Sequence, residues 1–378
     1  MNVPKLRFKE FSGEWETISA KDLFENISEK NFPAETVLTI IQGQGTIPRS
    51  ESGRDISFDE KSTSNYKKVL KNDFIIHLRS FEAGLEVANS TGIVSPAYTV
   101  LRSKETIGVS FYRNYFRSNK FINQTLCSAV EGVRDGRQIR FEQFKNIPLV
   151  YTKLEEQEKI SAFLNVVDEK IVNQKAIVKS LEKQKKGLMQ KIFSQELRFK
   201  DDKGEEFPAW EEKLIKEVCS ISTGKSNTQD KVDDGVYPFY VRSSVVEKSD
   251  KYLYDEEAVL TVGDGVGTGK IYHYVNGKYD LHQRVYRMYD FVGVSAKYFY
   301  FYFSSHFYDR VSKMSAKNSV DSVRLNMIAD MRISVPCMGE QTKIVEVLTG
   351  VERQLNISKE VLEHWRQIKK GLLQQMFV

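Results

Sequence analysis

The chain has 378 residues, of which 40% are hydrophobic and 12% are aromatic. This composition supplies enough apolar side chains for packed cores and argues against a disordered chain, and the length suggests two domains or more. The formal charge of +5 is compatible with a nucleic-acid partner but does not require one.

The cysteines and the N-terminus bear on where the protein works. Cys127, Cys219 and Cys337 are far apart and form no C-x-x-C pair, which predicts reduced thiols in a cytoplasmic protein. The N-terminus has no apolar signal region, and no apolar run reaches the roughly 18 residues of a membrane-spanning helix. We therefore expect neither secretion nor membrane insertion.

The first half of the chain begins with a short segment that contains LRFK at positions 6–9 and then Trp15. Apolar runs separated by Gly, Ser and Pro clusters predict strands over residues 37–41, 72–78 and 97–101. Aromatic residues at helical spacing predict a helix over residues 109–126. These elements predict a mixed globular region that ends near residue 150.

A long heptad stretch follows, and it occurs twice: residues 154–193 recur without a gap as residues 338–377. Apolar residues about every 3.5 positions, with no internal proline, predict one unbroken helix of about 60 Å in each copy. The polar interruptions also match, at Gln174 and Lys185 in the first copy and at Ser358 and Lys369 in the second. Matching seams favour an antiparallel coiled coil within the chain; the alternative is two unrelated amphipathic helices, each lying on its own domain.

The second half of the chain repeats the plan of the first. LRFK returns at positions 197–200, Trp210 follows, strands are predicted over residues 237–242, 258–262 and 284–289, and a helix is predicted over 297–314. The prediction is an α+β protein with two similar mixed domains separated by the helix pair. Its parts are a first domain over residues 1–150, a first helix over 151–195, a second domain over 196–336 and a second helix over 337–378.

Known catalytic motifs fail when their spacing is checked. The stretch VGDGVGTGK at 262–270 matches neither the P-loop nor the G-x-G-x-x-G pattern. It is typical of a flexible turn, with the alternative that its glycines let the backbone approach a DNA phosphate. SPAY at 95–98 only partly matches the box of amino-methyltransferases, and the five histidines lack the spacing of a zinc site. The sequence therefore predicts no catalysis by this chain and no metal or cofactor of its own.

Polar side chains at predicted strand ends occur in both halves. Arg, Gln and Asn make bidentate contacts with guanine and adenine edges, whereas Lys and Ser typically hold phosphates. For any single residue the alternative is a solvated loop side chain, so the prediction depends on the clusters. The candidate DNA-binding residues are Gln42, Gln44, Arg49, Arg79, Ser80, Arg134 and Arg137 in the first domain, and Lys225, Asn227, Arg242, Ser243, Lys270, Gln283 and Arg284 in the second.

With both halves considered, the chain resembles the specificity (S) subunit of type I restriction–modification enzymes. The resemblance is carried by LEEQEKI at 154–160, KGLMQKIF at 186–193, GEQTKI at 339–344, KGLLQQMF at 370–377 and FPAW at 207–210, and it covers essentially the whole chain. It implies two target recognition domains that each read one half of a bipartite site in double-stranded DNA. It also implies that the helices act as a spacer and as a docking surface for two methyltransferase subunits, which restriction (motor-nuclease) subunits join. S-adenosylmethionine, Mg²⁺ and ATP would belong to these partners.

Two other functions stay open at this point. One is a coiled-coil scaffold whose two domains bind proteins rather than DNA, and the other is an enzyme with a cryptic site, which the failed motifs disfavour. DNA binding by the chain or by its methyltransferase complex would distinguish a specificity subunit from a scaffold. Adenine methylation without any partner would indicate the enzyme.

Overall fold

The computed structural model describes residues 2–53, 60–76, 84–129, 139–265, 267–314 and 322–377. The chain divides into two compact units: the first combines Met1–Lys175 with Glu360–Val378, and the second is Ala176–Lys359. No helix in these described ranges is both long enough and apolar enough to cross a membrane. Cys127, Cys219 and Cys337 are free thiols, and burial raises the pKa of Cys219 to about 12.

The elements of the chain follow the order expected of two similar halves. In the first half they are β1 (Glu16–Ser19), α1 (Ala20–Leu23), β2 (Phe24–Ile27), β3 (Leu38–Ile41), β4 (Gly45–Pro48), β5 (Lys67–Val69), β6 (Phe74–Ile76), β7 (Glu86–Val87), β8 (Gly92–Val94), β9 (Thr99–Ser103), α2 (Val109–Tyr115), α3 (Phe141–Phe144), β10 (Pro148–Tyr151) and α4 (Leu154–Phe193). In the second half they are β11 (Glu211–Leu214), α5 (Ile215–Val218), β12 (Ser220–Thr223), β13 (Tyr237–Tyr240), β14 (Val246–Ser249), β15 (Tyr254–Val262), β16 (Tyr272–Leu281), β17 (Val285–Tyr289), α6 (Ala296–Met314), α7 (Leu325–Ala329), β18 (Arg332–Val335) and α8 (Met338–Met376).

The sheets of the two units have a common arrangement. In the first unit β2, β9, β6 and β7 lie side by side, and in the second β12, β17, β15 and β16 lie in the same order, extended by β13 and β14. Every neighbouring pair among these equivalent strands is antiparallel. The pairs β1–β10 and β11–β18 are also equivalent. The predicted α+β class with two similar mixed domains is therefore confirmed.

One predicted helix differs from the structure, and twelve of the eighteen described strands were not predicted, of which β16 is the longest. The helix predicted over 109–126 ends at Tyr115, because the amide of Ser118 bonds to the carbonyl of Tyr115 and the chain turns before a short helical segment, Phe121–Thr125. Strand β16 was not predicted, because Asn276 and Gly277 interrupt its apolar pattern. The long helices and α6 lie where the periodicity places them.

The sheet of the second unit is strongly curled, and this curl brings distant loops together. Tyr279 of β16 pairs with Tyr254 at the start of β15, whereas Val285 of β17 pairs with Val262 at its end. An extended β15 would span roughly 26 Å, but the few residues from the end of β16 to Val285 reach at most about 14 Å. The strands must therefore bend. Gly277, in the middle of β16, has a φ of +117°, a conformation that other residues rarely adopt.

Helices α4 and α8 pair antiparallel in each unit. In the first unit Lys369 of α8 bonds to Asp168 of α4. In the second unit Lys185 bonds to Glu352 at 2.6 Å, and Lys359 lies 2.8 Å from Glu182. These pairs, together with apolar seam residues such as Leu355 and Leu362 that are less than a tenth exposed, confirm the predicted antiparallel coiled coil.

A buried arginine–glutamate–tryptophan joint attaches the segment before β1 to the start of α4. Arg7 holds Glu156 through two parallel bonds, Nε to Oε1 at 2.7 Å and Nη2 to Oε2 at 2.8 Å, and the indole of Trp15 donates to Oε2 at 3.1 Å. Glu156 is 1% exposed. Burial raises the pKa of Glu156, but the bonds from Arg7 and Thr152 outweigh this effect and hold it below its ordinary value.

An equivalent joint occurs in the second unit. Arg198 forms two 2.8 Å bonds with Glu340, and Trp210 donates to the same carboxylate at 2.8 Å. Glu340 is fully buried, and its hydrogen bonds raise the pKa of Arg198. Each joint fixes one short segment against the first turn of a long helix, which explains why LRFK, a tryptophan and Glu-Gln recur together in the sequence.

The glutamines that follow these glutamates attach the globular parts to the same helix turns. Gln157 Oε1 accepts the amide of Gly108 at 2.8 Å, and Gln341 Oε1 accepts the amide of Ser295 at 2.7 Å. Both glutamines are almost completely buried. Each Glu-Gln pair is therefore structural, with one side chain bound to the preceding segment and the other to the globular part of its unit.

The far ends of the long helices pack in equivalent ways. Phe193 lies against Tyr302 in the second unit with ring centres 5.2 Å apart, and Phe377 lies against Phe111 in the first unit at the same distance. The amide of Leu197 bonds to the carbonyl of Lys191, and the amide of Leu6 bonds to that of Gln375, both at 2.9 Å. The chain thus forms each joint around the end of one long helix and the start of the other.

Candidate nucleic-acid interface

The first unit presents two glutamines on an anchored turn between β3 and β4. Gln42 and Gln44 are exposed, while the backbone between them is held by Glu86, which is 3% exposed. Glu86 accepts the amides of Gly43 and Gly45 at 2.6 and 3.0 Å. The turn therefore has a fixed backbone and two amide side chains directed outward, which suits contacts with base edges.

The other candidates of the first domain are only partly described. Arg49 is half-buried in a short 3-10 helix, Arg49–Glu51, directly after β4. Arg79, Ser80, Arg134 and Arg137 lie outside the described residues. The structure therefore places Gln42 and Gln44 on the β3–β4 turn and Arg49 directly after β4. The remaining four residues stay predictions.

In the second unit, backbone hydrogen bonds tie three loops together at one end of the curled sheet. The amide of Gly224 bonds to Val285 at 3.2 Å, and that of Gly263 bonds to Arg284 at 2.8 Å. A Cβ on Gly224 would lie 2.1 Å from the carbonyl oxygen of Leu281, so only glycine permits this approach. The loops before β13, after β15 and after β16 thus form one surface.

A buried carboxylate supports this surface from below. Asp280, fully buried at the end of β16, accepts the hydroxyls of Ser226 at 2.7 Å and Ser249 at 3.0 Å, and also the amide of Leu281 at 2.8 Å. These bonds compensate for burying the charge. Ser226 lies between two predicted candidates, Lys225 and Asn227, so Asp280 fixes the loop that carries them.

Two amide side chains meet on the surface. Gln283 Nε2 donates to Asn227 Oδ1, although the two residues are 56 positions apart. Gln283 is exposed and Asn227 half-buried. The bond uses one donor of Gln283 and one acceptor position of Asn227, so the carboxamides still offer the donor and acceptor groups that recognise adenine.

Two arginines meet around one carboxylate beside the amide pair. Arg242 Nη1 lies 3.4 Å from Asp264 Oδ1, and Arg284 Nε lies 3.7 Å from Asp264 Oδ2. The arginine side chains are 48% and 65% exposed, and that of Asp264 is 28% exposed. We call these three residues the arginine–aspartate cluster.

The remaining candidates of the second domain are Lys225, Ser243 and Lys270. Lys225 is exposed beside Ser226. Ser243 bonds within its own turn to the carbonyl of Val245 at 3.2 Å. The ammonium of Lys270 lies over the ring of Tyr308, 4.8 Å from its centre. The structure thus brings together Asn227, Arg242, Gln283 and Arg284, whereas the hydroxyl of Ser243, the residue after Arg242, and the ammonium of Lys270 make other contacts.

Sequence reasoning missed Asp264, Asp280 and His282, which organise this surface. Asp264 lies in the glycine-rich stretch whose phosphate-loop pattern fails, and nothing in its spacing links it to the two arginines. Asp280 is one charged residue among many in the sequence. The signal that could have found Asp280 and His282 was their position just before the candidates Gln283 and Arg284. Recognising it would have required the strand β16, which was not predicted.

The surroundings of His282 predict that the stability of this surface depends on pH. Its Nδ1 accepts the amide of Arg284 at 3.0 Å, and its Nε2 lies 3.3 Å from the hydroxyl of Thr228. Burial, which is the largest effect, and then the charge of Arg242 lower the pKa of His282 from 6.5; Arg284 lowers it further, while Asp264 and Asp230 act in the opposite direction. The unfolded chain therefore binds a proton at a higher pH than the folded chain does.

We expect the melting temperature of the second unit to fall as the pH drops below about 6.5, the ordinary pKa of histidine. A His282→Asn variant, whose Oδ1 can replace Nδ1 as the acceptor, should lose less stability over the same pH range. His364→Asn, at an exposed position on α8, is the matched control. Equal pH dependence of the wild type and His282→Asn would show that His282 is not the responsible group.

Comparison with known proteins agrees with this arrangement. The family model of the type I restriction modification DNA specificity domain matches residues 12–183 and again residues 209–364. The MjaVIII specificity subunit of Methanocaldococcus jannaschii is 26% identical over 97% of this chain and 94% of its own length. The EcoDI specificity subunit of Escherichia coli is 27% identical over 44% of this chain and 36% of its own length.

Solved structures show the same fold. The S subunit of a type I restriction–modification system from M. genitalium superimposes with a TM-score of 0.65 at 15% identity, over 100% of this chain and 99% of that one. A chain from a structure of type I restriction–modification complex assembly gives a TM-score of 0.56 at 15% identity, over 96% and 97%. Since the family model matches most of the sequence, in both halves, the chain belongs to the family of type I restriction–modification specificity subunits.

Proposed function

We propose that this specificity subunit reads a bipartite site in double-stranded DNA, with one half-site bound by each globular part. The observation that carries the proposal is the pair of anchored, polar surfaces: the Gln42–Gln44 turn in the first unit and the loops around Asp264 in the second. In both, buried carboxylates and close glycine contacts hold the backbone, while amide and guanidinium groups are exposed. Rigid presentation of such groups is what base-edge recognition requires.

The two surfaces differ in the side chains they offer. The first presents two glutamines and the second presents two arginines with an amide pair. Since the equivalent strands of the two units have one order while these loops share little sequence, the two parts are suited to different half-site sequences. The candidate contacts to DNA remain the fourteen predicted residues, joined by Asp264 as a group that orients arginines.

We further propose that α4 and α8 act as spacer and as docking surface for methyltransferase subunits, with restriction subunits joining the complex. Exposed apolar side chains on the outside of these helices support docking, since apolar surface left in water favours contact with a partner. In the described helices they include Phe163, Val166, Val172, Ile177, Val347, Ile357 and Val361, all at least 38% exposed. Catalysis and cofactors would then belong to the partners.

A domain exchange tests the bipartite proposal. Residues 18–150 would be replaced by the corresponding part of another specificity subunit, and methylated adenines would be mapped in a host that carries the complex. We expect one half of the methylated motif to change, while the other half and the gap between them stay the same. A change in both halves, or in neither, would contradict one reader for each half-site.

A further inference from the structure

The geometry points to a guanine reader in the arginine–aspartate cluster. Arg284 and Arg242 would contact N7 and O6 of guanine in the half-site of the second unit, and Asp264 is the positioning residue that holds both guanidinium groups. This assignment rests on the proposed function, because it names a base that the second unit recognises.

Folding stability does not explain the cluster. The arginine side chains are 48% and 65% exposed, and their distances to Asp264 are 3.4 and 3.7 Å. Ion pairs this exposed contribute little to stability, because water and salt screen them. One carboxylate also faces two cations, so the cluster keeps a net positive charge that favours an electron-rich ligand.

The carboxylate itself favours a base over a phosphate. Beside a DNA phosphate, Asp264 would add repulsion between two full negative charges, whereas beside the partial negative charges of a base edge this repulsion is smaller. The neighbouring pair, Asn227 and Gln283, is uncharged and suited to base edges. Gln283 directly precedes Arg284, so both kinds of reader lie on one anchored loop.

The contact with Asp264 leaves both Nη groups of Arg284 available for a base. Asp264 approaches Nε of Arg284, and the two Nη groups are the ones that can donate in parallel to O6 and N7 of guanine. The loop backbone is fixed by the amide of Gly263 on the carbonyl of Arg284 and by the amide of Arg284 on His282. Little ordering is then needed when DNA binds.

The test measures base preference in the complete methyltransferase complex. After the methylated motif is mapped, the complex is titrated with duplexes in which each base pair of both half-sites is replaced in turn, at several salt concentrations. The variants are Arg284→Ala, Arg284→Lys, Arg242→Ala and Asp264→Asn, with Lys248→Ala as an exposed cation of the same unit outside the cluster. Melting temperatures establish that each variant is folded.

We expect Arg284→Ala to reduce the preference for one G·C pair by about 10- to 100-fold, with all other positions and the gap unchanged. Arg284→Lys should lose the same preference, because an ammonium group has no bidentate fork. Arg242→Ala should likewise reduce a preference for G·C in that half-site, and Asp264→Asn should weaken the same preference while the arginines remain. Lys248→Ala should leave every preference unchanged.

Three results would overturn the assignment. One is uniform weakening on all duplexes with a smaller salt dependence, rescued by Arg284→Lys, since this is the behaviour of a phosphate contact. Another is a half-site of the second unit without a G·C pair. The third is an unchanged base preference in Arg284→Ala. If instead the wild-type complex methylates no defined bipartite motif, the proposed function itself fails, and the guanine assignment with it.

Discussion

Replacing Arg198 with methionine should destabilise the second unit by about 3 kcal/mol, the lower end of the cost of breaking a buried ion pair. The variant leaves the fully buried carboxylate of Glu340 with the indole of Trp210 as its main partner. The estimate is at the lower end because the side chain of Arg198 is itself 29% exposed. Urea unfolding of the full chain, followed by circular dichroism, would detect the loss as a lower midpoint.

Two further variants separate the buried charge from the lost packing. In the double variant Arg198→Met, Glu340→Leu no charge is left in the joint, so most of the stability should return. The control is Asp202→Ala, which removes the ion-pair partner of Lys343, a residue of α8 like Glu340. Because the Asp202 side chain is 97% exposed, the unfolding midpoint of this variant should not shift. If Arg198→Met unfolds at the same urea concentration as the wild type, the joint does not stabilise the unit.

Lengthening the helix pair should change the DNA spacing that the complex accepts. One heptad would be inserted between Gln174 and Lys175 of α4, and another between Leu362 and Glu363 of α8. The ion pairs Asp168–Lys369 and Lys185–Glu352 indicate that these points face each other. A matched heptad keeps the seam and adds about 10 Å of helix, which corresponds to about three base pairs, or nearly a third of a DNA turn.

Because a third of a turn presents a different face of DNA, methylation at the original gap should be lost with one heptad. Three matched heptads add about 31 Å, close to the 34 Å of a full turn, so methylation should return at a gap longer by roughly nine or ten base pairs. Both half-site sequences should stay the same. Efficient methylation at the original gap by either inserted subunit would show that the helices do not set the spacing.

The long helices, α6 and six of the eighteen described strands could be predicted because their signals are local. A heptad pattern without proline predicts α4 and α8, and aromatic residues at helical spacing predict α6. The same kind of spacing misled the prediction over 109–126, where hydrogen bonding around Ser118 ends the helix at Tyr115. Strand β16 was missed because Gly277, which permits the curl of the sheet, also removes the apolar alternation.

The candidate site was harder to predict because its residues meet only through the curl of the sheet. Polar residue types clustered at predicted strand ends selected Asn227, Arg242, Gln283 and Arg284, and these four lie on one surface. Asp264 could not be selected, because its role depends on two arginines that are distant in the sequence. One lies about 20 positions before it and the other about 20 positions after it. Ser243 and Lys270 are of suitable types, but their contacts are with a local carbonyl and with Tyr308.

The division of the chain reverses the order in which the two units can be completed during synthesis. The second unit is one continuous stretch, Ala176–Lys359, whereas the first also needs Glu360–Val378. Phe377 packs with Trp15, Phe111 and Tyr115 in the core of the first unit, and these partners are translated more than 250 residues earlier. The ribosome therefore synthesises every residue of the second unit before the last helical turns of the first. The part of the protein that is made first can therefore complete its core only after the whole second unit has been made.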